Sequence, residues 1–150
     1  MSVKSLETLN TWVKAKDFAL RVYREVLPLL PAEEKWSLAQ QLRRAANSIP
    51  ANIAEGYGRF HYQDNIRFCY IARGSLEETL SHLVMCMELK YISKSVFDSL
   101  SEDGEKLTQL INGYIGYLKR SKQGKSIGED KALYEVEDNP PFPIPDSQTA

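Results

Sequence analysis

The sequence predicts an all-α fold, an antiparallel up-and-down four-helix bundle. In four long segments, apolar residues recur with alternating gaps of three and four, which is the spacing of a helix face that packs against other helices. Short stretches with proline, glycine or serine separate these segments, and no alternating strand pattern stands out. At 150 residues, the chain is long enough for one domain with a substantial core.

The first helix is predicted from Thr11 to Leu27, after a lead-in of residues 1–9. Its stripe comprises Trp12, Ala15, Ala19, Val22, Val26 and Leu29. Pro28 and Pro31 end it, because proline removes a backbone donor and clashes with the preceding turn. Pro31 also suits the first position of a second helix, which is predicted from about Ala32 to Glu55.

The third and fourth helices are predicted over Gln63 to Lys90 and Lys94 to Arg120. The third has a stripe of Ile66, Cys69, Arg73, Leu76, Leu80, Leu83 and Met87. The fourth has Phe97, Leu100, Gly104, Leu107, Ile111, Tyr114 and Leu118. Arg73 therefore occupies a position of the core type, where a charged side chain needs a partner.

The charge divides the chain into a bundle of residues 1–122 and an acidic, proline-rich tail of residues 123–150. The whole chain has a net charge of −1. The last 29 residues hold three lysines against six carboxylates: Lys122, Lys125 and Lys131 against Glu129, Asp130, Glu135, Glu137, Asp138 and Asp146. We expect this tail to be disordered or extended, either as a docking segment around Asn139–Asp146 or as a solvated end.

Little in the sequence points to catalysis. Gly56-Tyr57-Gly58 lacks the strand and lysine of a phosphate-binding loop. No Glu-x-x-His pair accompanies His61 or His82, so neither a metal nor another cofactor is predicted. Cys69 and Cys86 lie 17 residues apart in one predicted helix and are expected to be reduced thiols of a cytoplasmic protein. No signal peptide or apolar span is evident. We therefore expect a protein that is not an enzyme.

The stretch from Ser48 to Arg59 breaks several rules of helix chemistry. Pro50 lies inside a helical pattern, and Glu55 lies at a helix end where the dipole disfavours a carboxylate. Glu55 thus needs a cation, and the candidates are Arg44, Arg59 and Arg73. The core-type position of Arg73 favours that residue. We assign Ser48, Asn52, Glu55 and Arg73 to a structural polar network at the Pro50 kink or at a subunit contact.

Cations and aromatic rings alternate around the predicted loop after Glu55. The candidate phosphate contacts are Arg43, Arg44, Arg59 and Arg67, and the candidate stacking residues are Tyr57 and Phe60. Such a set can bind RNA through phosphates and base stacking. Alternatively, these arginines pair with Glu55, Glu77 or Glu78, or are solvated. The near-neutral charge then favours a protein-binding scaffold without nucleic-acid affinity.

Two motifs resemble a known family. They are Arg43-Arg44-Ala45 with Ser48–Gly56 and Gly58-Arg59, and Ile71-Ala72-Arg73-Gly74-Ser75-Leu76-x-Glu78. Trp12–Ala15 matches the opening of the same family, the 23S rRNA intervening-sequence proteins, and the resemblance covers about residues 9–120. It implies a small cytosolic bacterial four-helix bundle.

The chain is also similar to the accessory proteins of diversity-generating retroelements. That similarity implies a homo-oligomer, expected to be a pentamer, that binds RNA, a reverse-transcriptase-like protein, or both. It implies no membrane partner.

Overall fold

The computed structural model describes residues 3–121. These residues form five α-helices and no strand, which confirms the predicted all-α class. The helices are α1 (Val3–Glu7), α2 (Asn10–Arg21), α3 (Leu38–Tyr57), α4 (Tyr62–Glu88) and α5 (Lys94–Ser121). The predicted tail, residues 123–150, lies outside the described residues.

The first long helix is shorter than predicted. The α-helix ends at Arg21, a π-helical turn follows over Val22–Val26, and a 3-10 turn occupies Leu27–Leu29. Pro28 provides a physical reason, because it cannot donate to the carbonyl four residues earlier and its ring crowds that carbonyl. Val22 and Val26 remain fully buried, so the predicted apolar stripe survives the change in helix type.

The second long helix begins six residues later than predicted. Ala32–Glu34 form a separate 3-10 turn, and α3 starts at Leu38. The Glu34 carboxylate accepts hydrogen bonds from Ser37 Oγ at 2.7 Å and from the Leu38 backbone N–H at 3.1 Å. Both bonds lower the pKa of Glu34, and the bond from Ser37 has the larger effect. Glu34, expected inside the helix, instead accepts from the first backbone N–H group of α3 from outside the helix.

The long helices pack in a closed cycle, with α3 on α4, α4 on α5, and α2 on both α3 and α5. Rising residue numbers in α3 meet falling numbers in α4: Arg44 meets Glu78, and Ser48 meets Ser75. The two helices therefore run in opposite directions. The largest fully buried side chains include Leu42, Ile49, Ile53, Leu76, Leu83, Leu100, Leu107, Ile111 and Leu118.

Two further features are the position of the short helix α1 and the length and apolarity of the helices relative to a bilayer. The short helix α1 packs on α2, and the hydroxyl groups of Ser5 and Tyr57 share a hydrogen bond of 2.8 Å. This bond places α1 beside the carboxyl end of α3. Among residues 3–121, no helix is both long enough and apolar enough to cross a bilayer.

Candidate nucleic-acid interface

Part of the predicted polar network forms at the α3–α4 contact. Ser48 Oγ lies 2.8 Å from Ser75 Oγ, and Asn52 Nδ2 donates to Ser48 Oγ and to the Ser48 carbonyl, at 2.8 Å each. Thr79 Oγ1 in turn donates to the Ser75 carbonyl at 2.8 Å. The network therefore joins Ser48 and Asn52 to a serine on α4 that the prediction left out. Ser75 lies in a row of small residues on that helix, with Ala72, Thr79 and Cys86, and this row is the sequence signal that could have indicated it.

The predicted pairing of Glu55 with Arg73 is wrong. Glu55 Oε1 accepts from Arg59 at 2.9 Å, whereas Arg73 donates to Asn112 Oδ1 on α5 at 2.7 Å and lies over the Tyr70 ring. Register is the reason. Because Ser48 lies opposite Ser75, Glu55 lies opposite about residue 68, five residues or about 7.5 Å along the axis from Arg73. Arg59 was one of the cations that the sequence offered.

Gly56 allows α3 and α4 to approach closely just before the turn between them. A Cβ atom at this position would lie 2.8 Å from Asn65 Oδ1 and 2.9 Å from Phe68 Cβ. Real side chains essentially never approach so closely, so any larger residue would push the helices apart. The close approach also positions the Arg59 guanidinium over the Phe68 ring, 5.1 Å from its centroid.

Four of the predicted binding residues, Tyr57, Arg59, Phe60 and Arg67, surround the α3–α4 turn, and we call them the turn surface. Phe60 is 71% exposed and meets the His61 ring edge-on at 5.0 Å. Arg59 pairs with Glu55, and Arg67 lies 3.8 Å from Asp64, both within one helical turn and exposed. Tyr57 is half-buried through its bond to Ser5.

The other two predicted contacts lie elsewhere, and we call Arg43 and Arg44 the α3 flank. Arg44 precedes Arg59 by 15 residues, or about 22 Å along the helix axis. Arg44 Nη2 lies 2.7 and 2.9 Å from the two Glu78 oxygens and 3.1 Å from Gln41 Oε1. Arg43 is exposed and makes no ion pair within residues 3–121. The structure thus divides the six predicted residues into two groups.

Glu78 also approaches His82, a histidine to which the sequence assigned no metal or cofactor. His82 Nε2 lies 3.8 Å from Glu78 Oε2, is buried, and makes no hydrogen bond. Arg44, Glu78 and His82 therefore form a mixed-charge cluster across the α3–α4 contact. Sequence spacing alone predicts only the contact between Glu78 and His82, one helical turn apart, because Arg44 lies 34 residues before Glu78.

The cysteines are buried and chemically quiet. Desolvation raises the pKa of Cys69 to about 12 and that of Cys86 to about 11. Within residues 3–121, no group of three or more histidine, cysteine or acidic side chains is placed to hold a metal ion. These thiols serve as packing groups in α4.

A groove of about 630 Å³ between α2 and α5 was not foreseen from the sequence. Its lining includes the cations Lys14, Arg21 and Lys106 and the carboxylates Asp17 and Asp103. Arg21 Nη1 donates to Asp103 at 2.6 Å, and Arg21 Nε donates to Glu25 at 2.6 Å, so this guanidinium is occupied within the protein. Because its lining carries charges of both signs, the groove does not form a uniform phosphate site.

The chain is similar to proteins of one family over most of the described region. The family model described as 23S rRNA-intervening sequence protein matches residues 7–113, which include both groups of arginines. A solved structure is also similar, a protein with unknown function from the S23 ribosomal protein family of Bacteroides thetaiotaomicron VPI-5482. The two are 26% identical with a TM-score of 0.64, over 70% of this chain and 97% of that one. No curated protein matches this chain.

Proposed function

This chain belongs to the 23S rRNA-intervening sequence protein family, and from that premise we propose that it is a non-enzymatic RNA- or ribonucleoprotein-binding module. In this proposal, it is an antiparallel four-helix bundle that acts in the cytoplasm as a homo-oligomer. The observation that carries the proposal is the turn surface, where an exposed aromatic ring adjoins arginines on a loop between two packed helices.

The arginines of the turn surface are suited to exchange their partners. Within residues 3–121, the ion pairs of Arg59 and Arg67 are made with neighbours three or four residues away, and the side chains of these pairs are 36–58% exposed. Such surface pairs are typically worth between zero and about 1 kcal/mol. A phosphate group can therefore replace Glu55 or Asp64 at small cost, forming charge-assisted hydrogen bonds to the same guanidinium groups.

The aromatic residues of the turn surface have different roles in the proposal. Phe60 is 71% exposed and offers a ring face to an unstacked base. Tyr57 would have to give up its 2.8 Å bond to Ser5 before its ring could stack fully. Phe60 is therefore the primary stacking residue, and Tyr57 contributes only if α1 moves away.

The α3 flank extends the proposed interface along the molecule. Arg43 is exposed and is assigned a direct phosphate contact, whereas Arg44, held by Glu78, contributes mainly through its position beside Arg43. An RNA that touches both the flank and the turn surface must span about 22 Å. The two groups can accordingly be separated by mutation.

Assembly completes the proposal. The similarity of the sequence to accessory proteins of diversity-generating retroelements is the basis for proposing a pentamer, with RNA, a reverse-transcriptase-like protein, or both as partners. Apolar side chains are exposed on the α2–α3 connection and at the end of α4, and these can form subunit contacts. They are Leu29, Trp36, Met85 and Leu89, each 46–76% exposed. A ring would also bring several turn surfaces into one particle, so that modest charges act together.

One experiment tests assembly and binding on the same sample. Light scattering should give a mass of five times 17.1 kDa. Fluorescence anisotropy with a labelled single-stranded RNA should show affinity that falls as salt rises, since phosphate neutralisation releases counterions. The Arg59→Ala/Arg67→Ala variant should bind more weakly and reduce the magnitude of the log–log salt slope by about 1.4.

The matched control is Arg24→Ala/Lys90→Ala, which removes the same charge from exposed residues outside the turn surface and the flank. Equal losses in both double variants would contradict a localised interface.

The second candidate function is a protein-binding scaffold without nucleic-acid affinity. It is favoured by the carboxylate partners of Arg44 and Arg59, and the pentameric mass without RNA binding would support it.

A further inference from the structure

The carboxyl end of α5 lies at the same end of the molecule as the turn surface. Arg73 meets Asn112, and a Cβ on Gly104 would meet Leu80, so α5 runs opposite to α4. Ser121 lies nine residues beyond Asn112, and Asp64 lies nine residues before Arg73. Because helices rise equally per residue, the chain leaves α5 at about the level of Asp64.

This end of the molecule is basic. The hydrogen bond between Ser5 and Tyr57 brings α1 to it as well. Five cations lie on the segments that meet here, Lys4, Arg59, Arg67, Lys119 and Arg120, against the three carboxylates Glu7, Glu55 and Asp64. The sequence that follows Ser121 has the opposite sign, with six carboxylates and three lysines in residues 122–150.

We propose that the acidic run of residues 129–138 binds the turn surface of its own chain and competes there with RNA. The run holds five carboxylates and one lysine. Seven residues separate it from Ser121, so eight Cα–Cα steps span up to about 27 Å when extended, and the run can reach Arg59 and Arg67. The competition rests on the proposed function, whereas the contact itself does not.

Tethering makes even a weak contact effective. A segment joined by a short linker has an effective concentration on the order of millimolar at a nearby site. Individual exposed carboxylate–guanidinium pairs are weak, but several carboxylates acting on one basic end add their attractions. Apolar residues that follow the acidic run, Phe142 and Ile144, can cover the exposed ring of Phe60. The segment therefore has negative charge for the arginines and apolar groups for Phe60, the two kinds of contact that the proposed function assigns to RNA.

The first experiment changes the charge of the run in the full chain. The test variant carries Glu129→Gln, Asp130→Asn, Glu135→Gln, Glu137→Gln and Asp138→Asn. The control variant carries Glu→Gln at five exposed positions of the helical region, Glu33, Glu77, Glu88, Glu102 and Glu105. Both raise the net charge by five. At 0.15 M salt, we expect the test variant to gain at least five-fold more RNA affinity than the control, because distant charges are screened. Equal gains would overturn the competition.

The second experiment locates the segment without RNA. The photocrosslinking amino acid p-benzoylphenylalanine replaces Phe142 in the full chain, and mass spectrometry identifies the crosslinked residues. Crosslinks to residues 57–68 or 117–121 that weaken in 0.5 M NaCl support the contact. Crosslinks confined to residues 29–36 or 84–91, or none to the helical region, overturn it. The expected crosslinks without any RNA binding would leave the contact standing and remove the proposed function.

Discussion

The α3–α4 contact and the α4–α5 contact both include a glycine, but they tolerate change differently. Gly56 on α3 faces the stem of Phe68 and the backbone of Asn65, whereas Gly104 on α5 faces the terminal methyl groups of Leu80. Backbone and Cβ atoms cannot move without moving a helix, but methyl groups can rotate away. The first contact is therefore rigid and the second is adaptable.

The polar groups follow the same division. Across α3–α4, the serine pair and the Arg44–Glu78 ion pair link the helices at successive levels. Across α4–α5, two links depend on long side chains: Arg73 donates to Asn112, and Asn65 Nδ2 donates to the Tyr114 hydroxyl at 3.1 Å. The rigid contact ends at the turn surface, so the proposed RNA-binding residues stand on the less deformable part of the molecule. A binding site is positioned best when its supporting elements are rigid.

Thiol reactivity should show the largest effect of burial. With pKa values of about 12 for Cys69 and about 11 for Cys86, the thiolate populations at pH 8 should fall about 1000-fold and 100-fold below those of free thiols with a pKa of 9.0. Iodoacetamide should modify neither residue in the folded protein and both in guanidinium, as followed by intact mass. Rapid modification of Cys69 alone would mean that the helices near the turn open readily.

Alkaline pH should destabilise the fold through the same groups. Because their folded pKa values are raised, the stability that these thiols contribute is complete below pH 9 and is lost as pH rises toward 11 and 12. The urea midpoint of unfolding should therefore be lower at pH 10.5 than at pH 8. The Cys69→Ala/Cys86→Ala variant is the control, and an equal decrease in that variant would assign the effect to other residues.

Gly56→Ala should be the most damaging of three matched glycine substitutions. The added methyl group overpacks a rigid contact, at a cost of typically 1–3 kcal/mol that exceeds the gain in helix propensity. We expect a net loss of about 2 kcal/mol in the free energy of unfolding, measured by urea denaturation. A neutral result would show that α3 and α4 separate more easily than their close contact indicates.

Gly104→Ala should have a smaller effect. The new methyl group would lie 2.8 Å from Leu80 Cδ2, and a rotation of Leu80 relieves that overlap. Strain and improved helix propensity then oppose each other, so we expect a loss of between zero and about 1 kcal/mol. The pairing of Gly104→Ala with Leu80→Ala tests the reason, because the glycine substitution should cost less in the Leu80→Ala background.

Gly74→Ala should be slightly stabilising. Gly74 is exposed on α4, and a Cβ there would have no atom within 4 Å. The substitution should raise the free energy of unfolding by about 0.5–1 kcal/mol, since alanine favours the helix and restricts the unfolded chain. If it instead lowers the mass in light scattering, Gly74 lies in a subunit contact of the proposed oligomer.

The apolar pattern alone was sufficient to predict four long helical segments, and α4 and α5 begin and end within two residues of the prediction. The pattern succeeds because helix burial depends on spacing along one segment, which is a local property. It failed at Val22–Val26, where Pro28 changes the helix type, and at Ala32–Glu34, where the Glu34 side chain bonds to the first N–H of a helix that starts later.

The partners of the charged residues were decided only by the tertiary structure. The sequence identified Arg43, Arg44, Arg59 and Arg67 as one set, yet the structure places Arg43 and Arg44 on α3, about 22 Å along the helix direction from the turn surface that includes the other two. It offered three cations for Glu55, and the register of α3 against α4 selected Arg59 over Arg73. Spacing within a helix determines which residues face the core, whereas pairing between helices depends on their relative translation. That translation is set by packing contacts such as Gly56 against Asn65 and Phe68.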